Sequence, residues 1–537
     1  ATQLTGQEFY LNPSEYSDIL KKVDNILINE DEEDLYEGLS LIESVINIST
    51  DQIEKYEALI LKARLYKNLK EYKKSEEILM NLVKQDSLNS EVYFQFAGLK
   101  NELKQYEKSI EYYSKAIELD PEMDSYYYNR TTPYEALEMY AEAEADYLKA
   151  IELDPEDEDY YLNLGNLYKN DFDEPEKAIA QYLKILDFNP EYVDAYNNIG
   201  SLYYNNLKNY DKAEEYFFKA IKVDSLSPNP YSNLGVISNR REEYKKAIEY
   251  YTKAIKLDPD NDYRYYKRTT PYEALEMYAE AEADYLKAIE LDPEEEDYYL
   301  DLGDLYKNKL NAPEKAKNQY LMALSTYDKK IAENPKNASY YHEKGRIYTE
   351  YLLDFKNGLK WMQKGNELKQ TQSSLITEAT IYQNLNNFSK AEEKYLEAIE
   401  LNPNQIDNLF AIVNLYILQK NYSKAEEYVK KAISIKINDP DGYYKLAVIY
   451  LKKGDYLNAY EQITVSINKE INNTEGFFIS GFDNISRVEL EDLYFLRSEI
   501  AFKLMGKNDK SCDDLNRALE LDIQSELIKE KINEICN

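Results

Sequence analysis

Small and apolar residues return along this chain every 34 residues or so, and within each return their spacing is helical. Ala116, Ala150, Ala220, Ala254 and Ala288 lie 34, 70, 34 and 34 residues apart, and Gly165, Gly200, Gly235 and Gly303 add steps of 35, 35 and 68. Pro121 to Pro155 and Pro259 to Pro293 are again 34. In one period Tyr231, Leu234, Gly235, Tyr244, Ala247, Tyr251, Ala254 and Pro259 hold places 4, 7, 8, 17, 20, 24, 27 and 32. Spacings of i, i+3, i+4 and i+7 predict two amphipathic helices per period, here called A and B, joined by a short turn. Asp-Pro or Asn-Pro closes most units. Small residues let the helices approach, and large aromatics fill the gaps between neighbouring hairpins. One hairpin alone cannot bury its apolar face, so successive hairpins must stack.

About thirteen such units fit between Tyr56 and Ile523. The Tyr, Leu, Gly, Tyr run followed by Ala, aromatic, Ala resembles the tetratricopeptide repeat. That resemblance implies an all-α fold, tandem helix-turn-helix repeats stacked into a right-handed superhelix (α-solenoid). The expected organisation is N-terminal capping helices over 1–55, interrupted by the acidic turn NEDEED, and regular repeats with a groove over 56–325. An irregular, degenerate repeat around Trp361 follows over 326–371, then repeats over 372–471, an aromatic insertion over 472–490, and a last repeat with a capping helix from Ser525 over 491–537. Units such as YKNDFDEPEKA from Tyr168 and YKNKLNAPEKA from Tyr306 carry one extra residue, placing Pro175 and Pro313 in the first turn of helix B, where a missing amide hydrogen costs little. Leu321 to Pro335 lengthens one helix B by about two turns.

Charge narrows the partners. With 65 Lys and Arg against 101 Asp and Glu the formal charge is −36, so nucleic acid and anionic membrane surfaces are poor partners. Hydrophobic residues at 43%, with 56 tyrosines, are too many for a disordered acidic chain. No stretch approaches the ~20 apolar residues of a membrane span. Cys512 and Cys536 are the only cysteines and read as inert helix residues, which favours a cytoplasmic location. The chain starts at Ala1, so secretion after signal cleavage is the alternative.

Catalytic constellations are missing. His342 is the only histidine, which excludes Ser-His-Asp, Cys-His and multi-histidine metal designs and leaves a groove-facing polar residue. No Gly-rich phosphate loop occurs, and the acidic runs at Glu156 and Glu294 lack the EF-hand alternation. Neither enzyme activity nor a cofactor is expected. The function expected is a protein-interaction scaffold. Its rivals are a recruiting arm of an enzyme whose catalytic domain lies elsewhere, and a self-assembling structural unit.

The resemblance implies that the second, fifth, sixth, ninth, twelfth and thirteenth places of the A helices face a ligand groove. Asn129, Asn163, Asn198 and Asn233 hold the sixth place in four consecutive units. This is similar to the asparagine ladder of O-linked N-acetylglucosamine transferase, where side-chain amides hold the backbone of an extended peptide; an amide donates and accepts at once, as a peptide group does. The family's carboxylate clamp needs Lys at the fifth place, where this chain has Phe94, Tyr128, Leu162, Asn197, Ser232, Tyr266 and Leu300. Acidic second places, Glu91, Asp159, Asp194 and Asp297, point to a neutral or basic extended segment as partner.

Arg130 to Pro155 and Arg268 to Pro293 are identical over 26 residues. From Asn129 to Asn170 against Lys267 to Asn308 only four places differ: Asn129/Lys267, Asp157/Glu295, Asn163/Asp301 and Asn166/Asp304. Three of the four are groove places, which suggests two related subsites of different charge preference. Both copies carry Thr-Thr-Pro inside helix A, at Pro133 and Pro271. An interior proline costs about 3 kcal/mol and frees the carbonyl four residues back, so a kink is expected at Asn129 and Lys267. Phe477, Phe478 and Phe482 in the insertion read as an aromatic plug or a functional loop.

Overall fold

The computed structural model describes residues 13–29, 32–49, 51–474, 490–506, 509–521 and 525–536, and the regular elements among them are helices. They fall into two compact units, Ala1–Met277 and Tyr278–Asn537. The first holds an N-terminal pair, Pro13–Asn29 and Glu32–Ile48, then six hairpins between Gln52 and Leu257, and helix Asp262–Ala274. The second opens on helix Tyr278–Leu291, runs through six hairpins from Glu296 to Leu521, and ends on helix Glu526–Ile535. In sequence order this makes the thirteen A-then-B units that the period requires.

A regular A helix has 13 residues and a regular B helix 14. A helices stop where one residue turns left-handed: Lys70, Lys104, Glu138, Glu242, Asn386 and Lys420 have φ of 55–60°. The next amide then reaches five residues back, as Asn421 N does to Tyr416 O at 2.8 Å, which satisfies a terminal carbonyl. In the units with an extra residue the left-handed position moves to Asp173 and Asn311, and Pro175 and Pro313 open helix B as expected. Unit junctions are closed by tyrosine. Hydroxyls of Tyr161, Tyr299 and Tyr341 each donate at 3.1 Å to the proline carbonyl six residues back, Pro155, Pro293 and Pro335.

Within a hairpin, place 8 of helix A is glycine because an aromatic ring of helix B lies on it. A Cβ on Gly165, Gly200, Gly235 or Gly303 would sit 2.3–2.8 Å from the ring of Tyr182, Phe217, Tyr251 or Tyr320. Those four rings are almost completely buried. Between hairpins, a Glu of one helix B accepts the hydroxyl of a Tyr in the next helix A. Tyr168 to Glu144 (2.5 Å), Tyr306 to Glu282 (2.6 Å), Tyr416 to Glu392 (2.8 Å) and Tyr450 to Glu426 (3.1 Å) repeat this bond at a separation of 24 residues.

Glu426 is the most heavily bonded of these carboxylates, with Lys430 at 2.7 Å and Lys453 at 2.8 Å as well. Those bonds, that of Lys430 first, hold its carboxyl at about 2 against an ordinary 4.5. A folded-state value below the unfolded one adds stability above pH 4.5 that is lost as pH falls through about 2. Urea melts at pH 7 and pH 3 should therefore show a smaller acid-induced loss for Glu426→Gln than for the wild type, and equal losses would rule out this latch as an acid-labile contact.

Four expectations need correction or completion. The prolines do not interrupt their helices: Asp124–Ala136 runs through Pro133 and Asp262–Ala274 through Pro271. Each proline stands three residues from the helix end, and Thr131 and Thr269 bond back to the carbonyls of Tyr128 and Tyr266 at 2.6 and 2.7 Å. The cysteines are not inert thiols. Cys512 and Cys536 are joined, Cα to Cα 5.6 Å, tying helix Asp509–Leu521 to the terminal helix. Helix Pro313–Glu333 has 21 residues against the regular 14, the two extra turns anticipated, and the next helix A ends in a π-helical turn, Ile347–Tyr351. The Phe477–Phe482 segment lies outside the described residues.

One packing solution was invisible beforehand. At place 7, where other units bury Leu164, Ile199 or Leu234, the first copy carries Arg130. Its guanidinium forms a bidentate pair with buried Asp146 of helix B, Nε to Oδ2 at 2.7 Å and Nη2 to Oδ1 at 2.8 Å, and Nη1 reaches Ser114 at 2.8 Å. The last hairpin repeats the arrangement with Arg497 and Asp514.

Candidate peptide-binding groove

Successive A helices approach one another within each unit; in the first, Val193–Asn205 meets Pro228–Arg240, which meets Asp262–Ala274. Polar side chains link them like rungs. Asn163 Nδ2 donates to the Tyr128 hydroxyl at 2.8 Å and to Asp159 O at 2.9 Å. Asn233 Nδ2 donates to Asn197 Oδ1 at 2.9 Å, whereas Asn129 Nδ2 donates within its own helix to Ser125 O at 2.8 Å. The four ladder residues, Asn129, Asn163, Asn198 and Asn233, are half-buried at one place on four consecutive A helices of the first unit.

Ninth-place residues have a structural task. Asn166 Oδ1 accepts the hydroxyl of Tyr182 at 2.8 Å, and Asp304 accepts that of Tyr320 at 2.7 Å. Both hydroxyls are pushed well above the ordinary tyrosine value by burial, that of Tyr320 also by its bond to Asp304. In the first copy, where places 9 and 10 are Thr132 and Pro133, the Tyr147 hydroxyl turns instead to Glu135 at 2.6 Å. Asp301 and Asp304 share helix Glu296–Asn308 in the second unit, and Lys267 stands in the first.

The structure brings Asn233 and Lys267 together. They line a cavity of about 210 Å³ between helices Val193–Asn205, Pro228–Arg240 and Asp262–Ala274, with Ser201, Asn205 and Ser232 as further polar groups and the buried Phe217 and Tyr251 rings beneath. Tyr204, Tyr263 and Arg264 complete its wall. Arg264 is buried, held by Asn229 Oδ1 at 2.9 Å, Ser232 Oγ at 3.0 Å and the Asp258 carboxylate. The Lys267 ammonium lies over two rings, 4.7 Å from the centroid of Tyr263 and 5.0 Å from that of Tyr266. Tyr263 and Arg264 stand upstream of the near-identical stretch that begins at Asn129 and Lys267. The signal was there: Ser125/Tyr263 and Tyr126/Arg264 differ immediately upstream.

In the second unit His342, with Ser339, Arg346, Thr371 and Ser374, lines a cavity of about 600 Å³. Its Nε2 stands 3.1 Å from Asn366 Oδ1, and burial pushes the imidazole below its usual value. No helix among the described residues is long and apolar enough to cross a membrane.

The fold defines an all-α tandem-repeat protein of the α-solenoid class. Tetratricopeptide repeat family models match residues 56–87, 90–123, 193–225, 228–261, 272–295, 373–405 and 406–438, and a TPR repeat model matches 134–171. The chain belongs to the tetratricopeptide repeat family. A search of curated proteins gives no match. Among solved structures it is similar to that titled APC/C hetero-tetramer Cut9-Hcn1, 13% identical over 98% of this chain and 97% of the other, TM-score 0.42. Yeast Tom70 is 19% identical over 79% and 97%, TM-score 0.37. YrrB, titled a TPR protein with an unusual peptide-binding site, is 24% identical over 36% and 96%, TM-score 0.29.

Proposed function

We propose that the protein is a non-catalytic interaction scaffold whose A-helix groove in the first unit grips an extended polypeptide. The observation that carries this reading is the cavity shared by Asn233 and Lys267, two groove places on adjacent A helices. The ladder amides spend an Nδ2 hydrogen on a neighbouring helix at Asn163 and Asn233 and on the Ser125 carbonyl of its own helix at Asn129, which orients them and turns their Oδ1 acceptors to a ligand's N–H groups. Asn166 and Asp304 support the groove wall through Tyr182 and Tyr320. Asp301 and Asp304 form a related subsite for a cationic residue. The pairing of Cys512 with Cys536 supports the secreted alternative over a cytoplasmic location, because disulfides persist in oxidising surroundings.

A random peptide library displayed against the full chain tests the reading. Enriched peptides should lose about 0.5–1.5 kcal/mol of affinity for each of Asn129→Ala, Asn163→Ala, Asn198→Ala and Asn233→Ala, one hydrogen bond apiece. Circular dichroism melts should move far less. Peptides whose affinity ignores all four changes would place binding on another surface. Where a peptide reaches the second unit, Asp301→Asn with Asp304→Asn should flatten the salt dependence of binding.

A further inference from the structure

The two internal copies diverge in helix A in a way that points to a ligand. Asp124–Ala136 reads DSYYYNRTTPYEA and Asp262–Ala274 reads DYRYYKRTTPYEA, so three places differ: Ser125/Tyr263, Tyr126/Arg264 and Asn129/Lys267. All three residues of the second copy line the 210 Å³ cavity, and no other residue of that helix does. Drift would scatter over exposed and buried places alike. Within this helix the differences fall on one wall of one cavity, where they place two cations and move a tyrosine ring from place 3 to place 2.

The chemistry of that wall is unusual for this chain. Acidic residues outnumber basic ones 101 to 65, yet the cavity lining has Arg264 and Lys267 and no carboxylate. The charge on Arg264 is matched by Asp258, leaving it as a fixed part of the wall. Lys267 forms no ion pair among the described residues, and its ammonium is held over Tyr263 and Tyr266 by cation–π attraction. Neutral donors stand beside the space at Ser201 and Asn205, while Phe217, Tyr251 and Val236 give it an apolar floor. The volume suits one side chain, not a cofactor.

We infer that this cavity is a side-chain subsite for an acidic residue, Glu or Asp, of the bound polypeptide, an inference that rests on the groove reading above. The methylenes lie on the Phe217 and Tyr251 rings, and the carboxylate meets the Lys267 ammonium with the Ser201 hydroxyl and the Asn205 amide, while Asn233 accepts a backbone N–H of the ligand. The subsite thus reverses the preference for basic segments that the acidic second places suggest. It fixes register: one acidic residue of the ligand is set at the fifth A helix from Asn129, and the neutral ladder reads backbone before it.

The test uses the displayed peptide library on the full chain and on Lys267→Asn and Lys267→Glu. Lys267→Asn restores the residue that stands before the identical 26-residue stretch in the first copy, so that helix is known to accept it. Wild-type selections should enrich Glu or Asp at one register position, and replacing that residue by Gln or Asn in a synthetic, acetylated and amidated peptide should weaken binding about tenfold, as for a charge-assisted bond. Lys267→Asn should shrink that ratio to about twofold or less, and Lys267→Glu should enrich Lys or Arg at the same register. Peptides that depend on the Asn ladder but show no acidic preference, or keep it in both Lys267 variants, would overturn the inference while leaving the groove reading intact. A preference lost on amidating the peptide's own C-terminus would assign the carboxylate to the chain end and equally overturn it. No enrichment by the wild type, or enrichment indifferent to the ladder, would overturn both.

Discussion

Replacing Asp146 by alanine is expected to destabilise the first unit by about 3 kcal/mol, the loss typical when one partner of a buried pair is removed. Arg130 would be left without the two bonds at 2.7 and 2.8 Å, facing Ser114 and the rings of Tyr127 and Tyr134. The pair is costly even when intact. Burial raises the Asp146 carboxyl above its usual value, and Arg130 does not fully offset that rise. The double change Arg130→Leu with Asp146→Gln should therefore recover wild-type stability or exceed it. Those are the residues at the same places in the following unit, Leu164 and Gln181, so the packing for them already exists in this chain. Hydrogen exchange of helices Asp124–Ala136 and Tyr140–Leu153 is the right measurement, because a repeat array need not unfold as one transition. If Asp146→Ala exchanges like the wild type, the ion pair contributes nothing; if the double variant is worse than the single, place 7 in this unit is built for charge.

A comparable loss, about 3 kcal/mol, is expected for Gly303→Val in the second unit. The first added carbon would stand 2.3 Å from Cε1 of Tyr320, a ring that is 2% exposed and packed against Tyr351 at a centroid distance of 5.0 Å. The ring cannot swing out without breaking its hydroxyl bond to Asp304. Shortening it should relieve the clash, so Gly303→Val with Tyr320→Leu is expected to be less destabilised than the sum of the two single changes. Strict additivity, measured by denaturant melts, would mean that the glycine serves something other than close approach of helix B. The first copy shows how the fold manages without glycine there: Thr131 occupies the place, and Tyr147 sends its hydroxyl to Glu135 instead.

The groove variants and the Lys267 changes read a different quantity. Their side chains lie on the A-helix face and not beneath it, so affinity should move where Gly303 and Asp146 move stability. Asn166 and Asp304 belong to both groups, since each carries a buried tyrosine hydroxyl, and changes there will mix the two effects.

The 34-residue return of Gly235, Ala247, Tyr251 and Ala254 determined by itself the helices, their pairing into hairpins, the number of units and the extra turns of Pro313–Glu333. Periodicity reports which face of a helix is buried, and that depends on each residue's own surroundings. It does not report which residue 16, 24 or 36 positions away will be met, because that depends on how one hairpin seats on the next. For that reason the Arg130–Asp146 pair, the Tyr416–Glu392 latches and the Cys512–Cys536 bond emerged only in three dimensions. Pro133 marks the limit of a local rule: a proline inside a helix is disfavoured, yet Asp124–Ala136 continues three residues past it. The ladder at Asn129, Asn163, Asn198 and Asn233 was legible as a register. That Lys267, Tyr263 and Arg264 close one cavity with Asn233 was decided by the approach of three A helices, which no single repeat contains.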